Sequence, residues 1–314
     1  MSGLEQRIAA GTLVVTAELP AIDGGGLAEV ERHVERLRPW VDALNATDNT
    51  AAHAHASNVA IAIALLRVGV EPILQVACRD KNRLALQADI VGGALHGVEN
   101  VCCLTGDDVT AGDEPETRRV FDLDGPQLVQ VATGLGEGRY LSGRTIDPAP
   151  HLFVGAVENP FTHPLAGRID RAWKKARAGA RFLQLQIGYR PERLAAFVVE
   201  AHRSGLTRRT AVLPTICLLP GARGLRFMDE RVPGISVPAE TIERVERAAD
   251  PREAAYALAL EQARHALDLP GVAGLHLVTF RGDDAVGRLL TDLSIPPHAE
   301  RLPPHAHRPA LVVP

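Results

Sequence analysis

Polar residues that interrupt otherwise apolar runs are the places where this sequence could do chemistry. Glu18 closes the run Val14–Leu19 (VVTAEL), flanked by Ala17 and Leu19. A carboxylate at an apolar strand end is costly to ionise, so its pKa should rise and it could hold a proton near neutral pH. The alternative is a structural carboxylate paired with a core arginine. Asp107 follows Thr105–Gly106, where a glycine lets backbone approach a ligand closely; a loop N-cap is the other reading. Gln184 and Gln186 alternate with Leu183, Leu185 and Ile187, which turns both amides to one face. Unpaired amides there would be expensive, so at least one is expected to meet a ligand.

Other signals are weaker. His53 and His55 (HAHAS) lack a third ligand at credible spacing, so no metal site is expected. The four cysteines, Cys78, Cys102, Cys103 and Cys217, show no CxxC spacing and suit a reduced, cytoplasmic compartment. The glycine run Gly24–Gly26 is followed by no GK[ST], and Gly134–Gly138 lacks dinucleotide spacing. The basic run Arg168, Arg171, Lys174, Lys175, Arg177 and Arg181 is the pattern of a solvated helix face, although its early part could instead meet phosphates.

Positioning these residues requires a scaffold, and the apolar pattern supplies one. Near-continuous runs at Val14–Leu19, Val41–Thr47, Pro72–Cys78, Asn100–Thr105, His151–Val157, Arg181–Ile187, Thr210–Leu218 and Val272–Phe280 suit strands buried on both faces. Amphipathic segments fill the gaps: Leu27–Leu37, His53–Val68, Asn82–His96, Gln127–Leu135, Leu165–Ala178, Glu192–Arg203, Glu240–Ala249, Arg252–Leu267 and Asp284–Leu293. Strict alternation of this kind predicts an α/β fold, a (β/α)8 TIM barrel over residues 1–294, and no GxGxxG supports the rival doubly wound sheet. Residues 295–314 form a Pro/His-rich tail, expected to be irregular, in which His298, His305 and His307 read as incidental composition. On such a barrel the reactive groups sit at the C-terminal strand ends, where Glu18, Thr47, Gln75, Gly106, Asp107, Gln184, Gln186 and His276 fall.

The chain has 314 residues, with 34 Lys+Arg against 38 Asp+Glu for a formal net charge of −4. A mildly acidic balance argues against a nucleic-acid partner. No run of about 20 apolar residues predicts a membrane span, and Met1–Ala10 lacks the basic start and apolar stretch of a signal peptide. A homo-oligomer is plausible.

The same strand ends carry a family likeness. The stretch CRDKNRLALQADIVGGALHGVENVCCLTGD (78–107), with VFDLDGPQLV (120–129), FVGAVENP (153–160), KKARAGARFLQLQ (174–186), VPGISVP (232–238) and GVAGLHLVTF (271–280) in order, resembles the methylenetetrahydrofolate reductase family. That resemblance implies reduction of 5,10-methylenetetrahydrofolate to 5-methyltetrahydrofolate by NADH or NADPH through a bound flavin, commonly FAD. By the same likeness Glu18 is the general acid that protonates folate N10, and Asp107 is the anion beside flavin and pterin. Gln186 holds the pterin edge. Thr47, Gln75, Gly106 and Lys175 fall on flavin contacts, and Phe227 (RGLRFMDE) is the aromatic that stacks on substrate or nicotinamide. The chain departs from the likeness at Arg168, Arg171 and Leu185. Two alternatives share the scaffold: a folate or pterin one-carbon enzyme working in the oxidative or demethylating direction, and a non-catalytic folate-binding subunit.

Overall fold

The computed structural model describes residues 1–280 and 283–301. Its strands are β1 (Val14–Glu18), β2 (Ala43–Ala46), β3 (Pro72–Ala77), β4 (Asn100–Leu104), β5 (Phe153–Glu158), β6 (Phe182–Leu185), β7 (Ala211–Leu213), β8 (Thr215–Leu218) and β9 (Gly274–Thr279). All pair in parallel, in the order β7-β6-β5-β4-β3-β2-β1-β9-β8. The predicted seventh strand is present but divided. Pro214 has no N–H to give to a ladder, so β7 pairs with β6 while β8, one residue on, pairs with β9. His276 N donates to the Pro214 carbonyl at 2.9 Å, and Val212 bridges Val272. These two links close the sheet into the expected barrel of eight staves.

The helices are α1 (Gly3–Ala9), α2 (Gly26–Leu37), α3 (Asn58–Arg67), α4 (Arg83–Leu95), α5 (Gly125–Gly136), α6 (Leu165–Ala178), α7 (Pro191–Arg203), α8 (Ala222–Arg231), α9 (Ala239–Glu246), α10 (Pro251–Asp268) and α11 (Asp284–Asp292). Nine answer to predicted segments. The second of these, expected from His53, starts only at Asn58, because Asn49, Ala51 and Ala52 adopt positive φ and hold the chain in an irregular loop. The additional helices are α1, whose start is capped by Ser2 accepting from Glu5 N, and α8.

Alternation along each stave divides the side chains. Outward residues such as Val15, Ala17, Leu44, Leu74 and Leu183 pack against the helices in one large core. Inward residues stack in layers. The lowest layer joins Val14, Ala43, Ile73, Phe153, Phe182 and Leu213 to Leu4 and Ile8 of α1, which plugs the N-terminal end. Gly155 makes room here: a Cβ on it would lie 2.3 Å from the Phe182 ring. After β8, helices α8 and α9 build a satellite core with Tyr189, Cys217 and Leu258.

The start of the tail is not loose, which corrects the expectation for His298. Asp42, fully buried beneath β2, accepts from Val15 N at 2.6 Å through Oδ2. Its Oδ1 draws in Arg7 (3.1 Å), His298 (2.8 Å) and Arg301 (2.9 Å). A carboxylate with no water must be matched by cations or donors, and the segment after α11 supplies them. His305 and His307 lie outside the described residues.

Candidate active site

Glu18 occupies the end of β1 at the C-terminal mouth, its side chain about a quarter exposed (24%). It shares the inward phase of Thr16. Burial lifts the Cys102 and Cys217 thiols far above their ordinary range, and the Glu18 carboxylate adds to both shifts. That inward phase, with His276 Nε2 3.9 Å from Glu18 Oε1, turns Glu18 toward the barrel axis.

Beneath Glu18 lies a polar layer. Asn45 Nδ2 donates to Gln184 Oε1 at 2.8 Å, and Gln184 Nε2 returns a bond to Asn45 Oδ1 at 3.0 Å. Gln184 Nε2 also lies 3.2 Å from His276 Nδ1, which is 2.8 Å from Thr16 Oγ1, and Cys102 Sγ donates to Gln184 Oε1. An amide N–H can only donate, so the Gln184 contact is a hydrogen bond in the tautomer whose Nδ1 accepts and whose Nε2 carries the ring hydrogen. That hydrogen is on the side of Glu18, whose Oε1 is 3.9 Å from Nε2. Of the glutamine pair, Gln184 is therefore spent inside the barrel. Gln186, one pleat higher and part-exposed, holds Ile187 N with its Oε1 and keeps its amide hydrogens free of protein partners among the described residues.

Across the mouth, Asp107 is part-buried after β4. Burial raises its carboxyl above the ordinary aspartate value, and Arg79 only partly offsets this. Thr47 follows β2, and Gln75 is buried in β3. Phe227 lies on α8, half exposed. Among the twelve aromatic residues of the chain, only Phe227 and Phe280 are exposed; Phe280 follows β9, which pairs with β1, and Phe227 follows β8, one stave further on.

The flavin positions do not assemble a cradle. Lys175 is 5% exposed; its Nζ donates to Glu158 Oε2 at 2.5 Å and to the Val157 carbonyl at 2.6 Å. Gly106 has positive φ, yet its open side is filled by the protein itself: a Cβ there would meet Arg79 Cβ at 3.0 Å. Arg79, with a side chain 2% exposed, is held bidentately by Asp80 and bonded to the Asn49 carbonyl. Lys81 is taken by Asp48 and Asp89. The loops after β2 and β4 also lock together, since a Cβ on Gly112 would lie 1.9 Å from the Ala52 carbonyl oxygen. A flavin dinucleotide needs cations or N–H groups for its diphosphate, and Arg79, Lys81 and Lys175 are already engaged. These three engaged cations do not fit the diphosphate of FAD, and the cations that remain at the rim, Arg168 and Arg171, lie on α6. No cluster of three or more potential metal ligands exists among the described residues.

The fold and its rim thus define a (β/α)8-barrel protein with an acid-bearing mouth. A family model for methylenetetrahydrofolate reductase matches residues 4–294, and the chain belongs to that family. One similar solved structure is an uncharacterized protein from Clostridium thermocellum that binds two copies of 5-methyl-5,6,7,8-tetrahydrofolic acid. It is 14% identical with a TM-score of 0.69, over 93% of this chain and 99% of that one. Another is the EDTA monooxygenase EmoA from Chelativorans sp. BNC1, 12% identical with a TM-score of 0.51, over 91% and 95% of the two chains. At these identities the likeness establishes the fold alone. No curated protein matches the sequence. No described helix is long and apolar enough to cross a membrane.

Proposed function

We propose that this protein reduces 5,10-methylenetetrahydrofolate to 5-methyltetrahydrofolate with NADH or NADPH as hydride donor. The observation that carries the reading is a carboxylate, Glu18, facing the axis at the mouth of a barrel matched along its length by the reductase family. Folate bound by the Clostridium thermocellum barrel supports the substrate class.

In this reading Glu18 gives its proton to N10 as the bond between N10 and the bridging carbon breaks. The electron pair of N5 forms the iminium, and the bridging carbon accepts hydride from the nicotinamide. Substrate, NAD(P)H and one proton become methyltetrahydrofolate and NAD(P)+. His276, held by Thr16 and Gln184, keeps its Nε2 3.9 Å from Glu18 Oε1, where the polar ring favours the carboxylate left once the proton has gone. Asp107 supplies negative charge near the iminium when ionised, Gln186 offers amide hydrogens to the pterin edge, and Phe227 offers a ring face to a planar ligand. No step is assigned to a flavin.

The test is the purified protein with methylenetetrahydrofolate and NADH or NADPH, read together with its visible absorbance. Nicotinamide oxidation by protein lacking flavin absorbance is the expected result. Faster turnover from methyltetrahydrofolate would favour the oxidative direction. Folate binding without turnover in either direction would leave a binding subunit.

A further inference from the structure

We propose that Arg168 and Arg171 form a phosphate subsite on α6 that receives the pyridine nucleotide. The inference rests on the reductase reading and names where its cosubstrate is held.

Helix α6 follows β5, so its first turns lie at the C-terminal rim. Arg168, Arg171 and Lys175 have i, i+3, i+7 spacing, which places three cations on one stripe. The carboxylate that meets this stripe is Glu158, at the end of β5. Lys175 takes it in a short buried ion pair, leaving the two arginines with a net surplus of two positive charges (3 − 1). Asp170, between the arginines in sequence, lies off the stripe.

Arg168 is left underused. Its Nη1 stands 3.9 Å from Glu158 Oε1, beyond hydrogen-bond reach, and its buried Nε has no partner among the described residues. The buried Thr162 hydroxyl, in the loop leading to α6, is likewise without a partner there. Arg171 makes no ion pair among the described residues and sits close enough to Lys175 to push its pKa down further, after burial itself. Unmatched guanidinium groups on α6, with an orphan hydroxyl in the loop that leads into it, suit the oxygens of a phosphate ester or diphosphate.

The location fits a nucleotide. In the sheet order β5 is four staves from β1 and lies across the mouth from Glu18. It neighbours β4, which leads to Asp107, and β6, which leads to Gln186. A nucleotide anchored at α6 would present its nicotinamide toward the axis, where the bridging carbon must lie.

The experiment is titration of the full chain with NADPH and with NADH, followed by nicotinamide fluorescence, for wild type and Arg168→Gln/Arg171→Gln. We expect the double variant to bind at least about tenfold more weakly, the scale of one lost charge-assisted bond, with folate binding and melting temperature retained. Lys174→Gln, on the same helix but off the stripe, leaves nucleotide affinity unchanged. A loss confined to NADPH assigns the subsite to the 2′-phosphate, and a loss with both assigns it to the diphosphate. Unchanged affinity in the double variant, or no nucleotide binding by wild type, overturns the proposal. Because binding is read without turnover, a protein that binds nucleotide through these arginines yet reduces no folate overturns only the reductase reading.

Discussion

Asn45 on β2 and Gln184 on β6 exchange a pair of hydrogen bonds through the middle of the barrel, 2.8 and 3.0 Å long. Both residues are essentially without solvent exposure, so each amide depends on the other. Gln184→Leu strands Asn45 and removes a donor from His276. The expected cost is about 1–3 kcal/mol, measured by urea unfolding. Adding Asn45→Leu should cost much less than a second such step, because the partner is already lost. Strict additivity would break the claim that the two act as a unit.

Glu18→Gln should keep folate affinity and reduce turnover at least about a hundredfold, the lower scale of general-acid contributions. Steady-state rates with folate binding measured in parallel decide this. Near-wild-type turnover would remove Glu18 from the chemistry.

Asp107 predicts a pH signature. Its carboxyl is raised in the folded protein, with burial as the main cause, so the native state holds this proton more tightly than the unfolded chain. The associated stability is complete below the ordinary aspartate range, near about pH 4, and is lost as pH rises through the folded value. Asp107→Asn escapes that loss. The variant should therefore melt higher than wild type at pH 7, with the gap closing toward pH 4, as calorimetry across that interval would register.

Lys175 and Glu158 form a buried pair between α6 and β5. Lys175→Met alone leaves an uncompensated carboxylate and should destabilise by about 3–5 kcal/mol. Lys175→Met with Glu158→Leu should recover most of that loss. Chemical denaturation of both variants tests it; a mild effect of the single change would show that Glu158 finds another partner.

The scaffold was legible because strands buried on two faces need unbroken apolar runs, and the chain has them. Within Thr210–Leu218 the run stayed continuous while Pro214 transferred the ladder from one neighbour to the other. Helix α1 escaped notice although Ser2 and Glu5 stand at capping distance, since seven residues carry little periodic signal. Helix α8 is dominated by charges and showed no clear apolar stripe in advance. At the mouth, Glu18 could be singled out from its place at a strand end. Its neighbours could not: Thr16 and His276 are 260 positions apart, and only closure of the barrel brings them together. The fate of Lys175 was equally hidden, because a basic helix does not reveal which of its cations turns toward a buried acid.

Asp42 gathers Arg7, near the beginning of the chain, and His298 and Arg301, beyond the last helix, on the underside of the barrel. An affinity tag or fusion partner attached ahead of Met1 would therefore emerge from the closed base, leaving the entrance to the mouth unobstructed for immobilised assays. Trimming the chain back to residue 294 would remove two of the groups that fasten this base, so such a truncation should loosen the plug formed by α1 before it disturbs the opposite end.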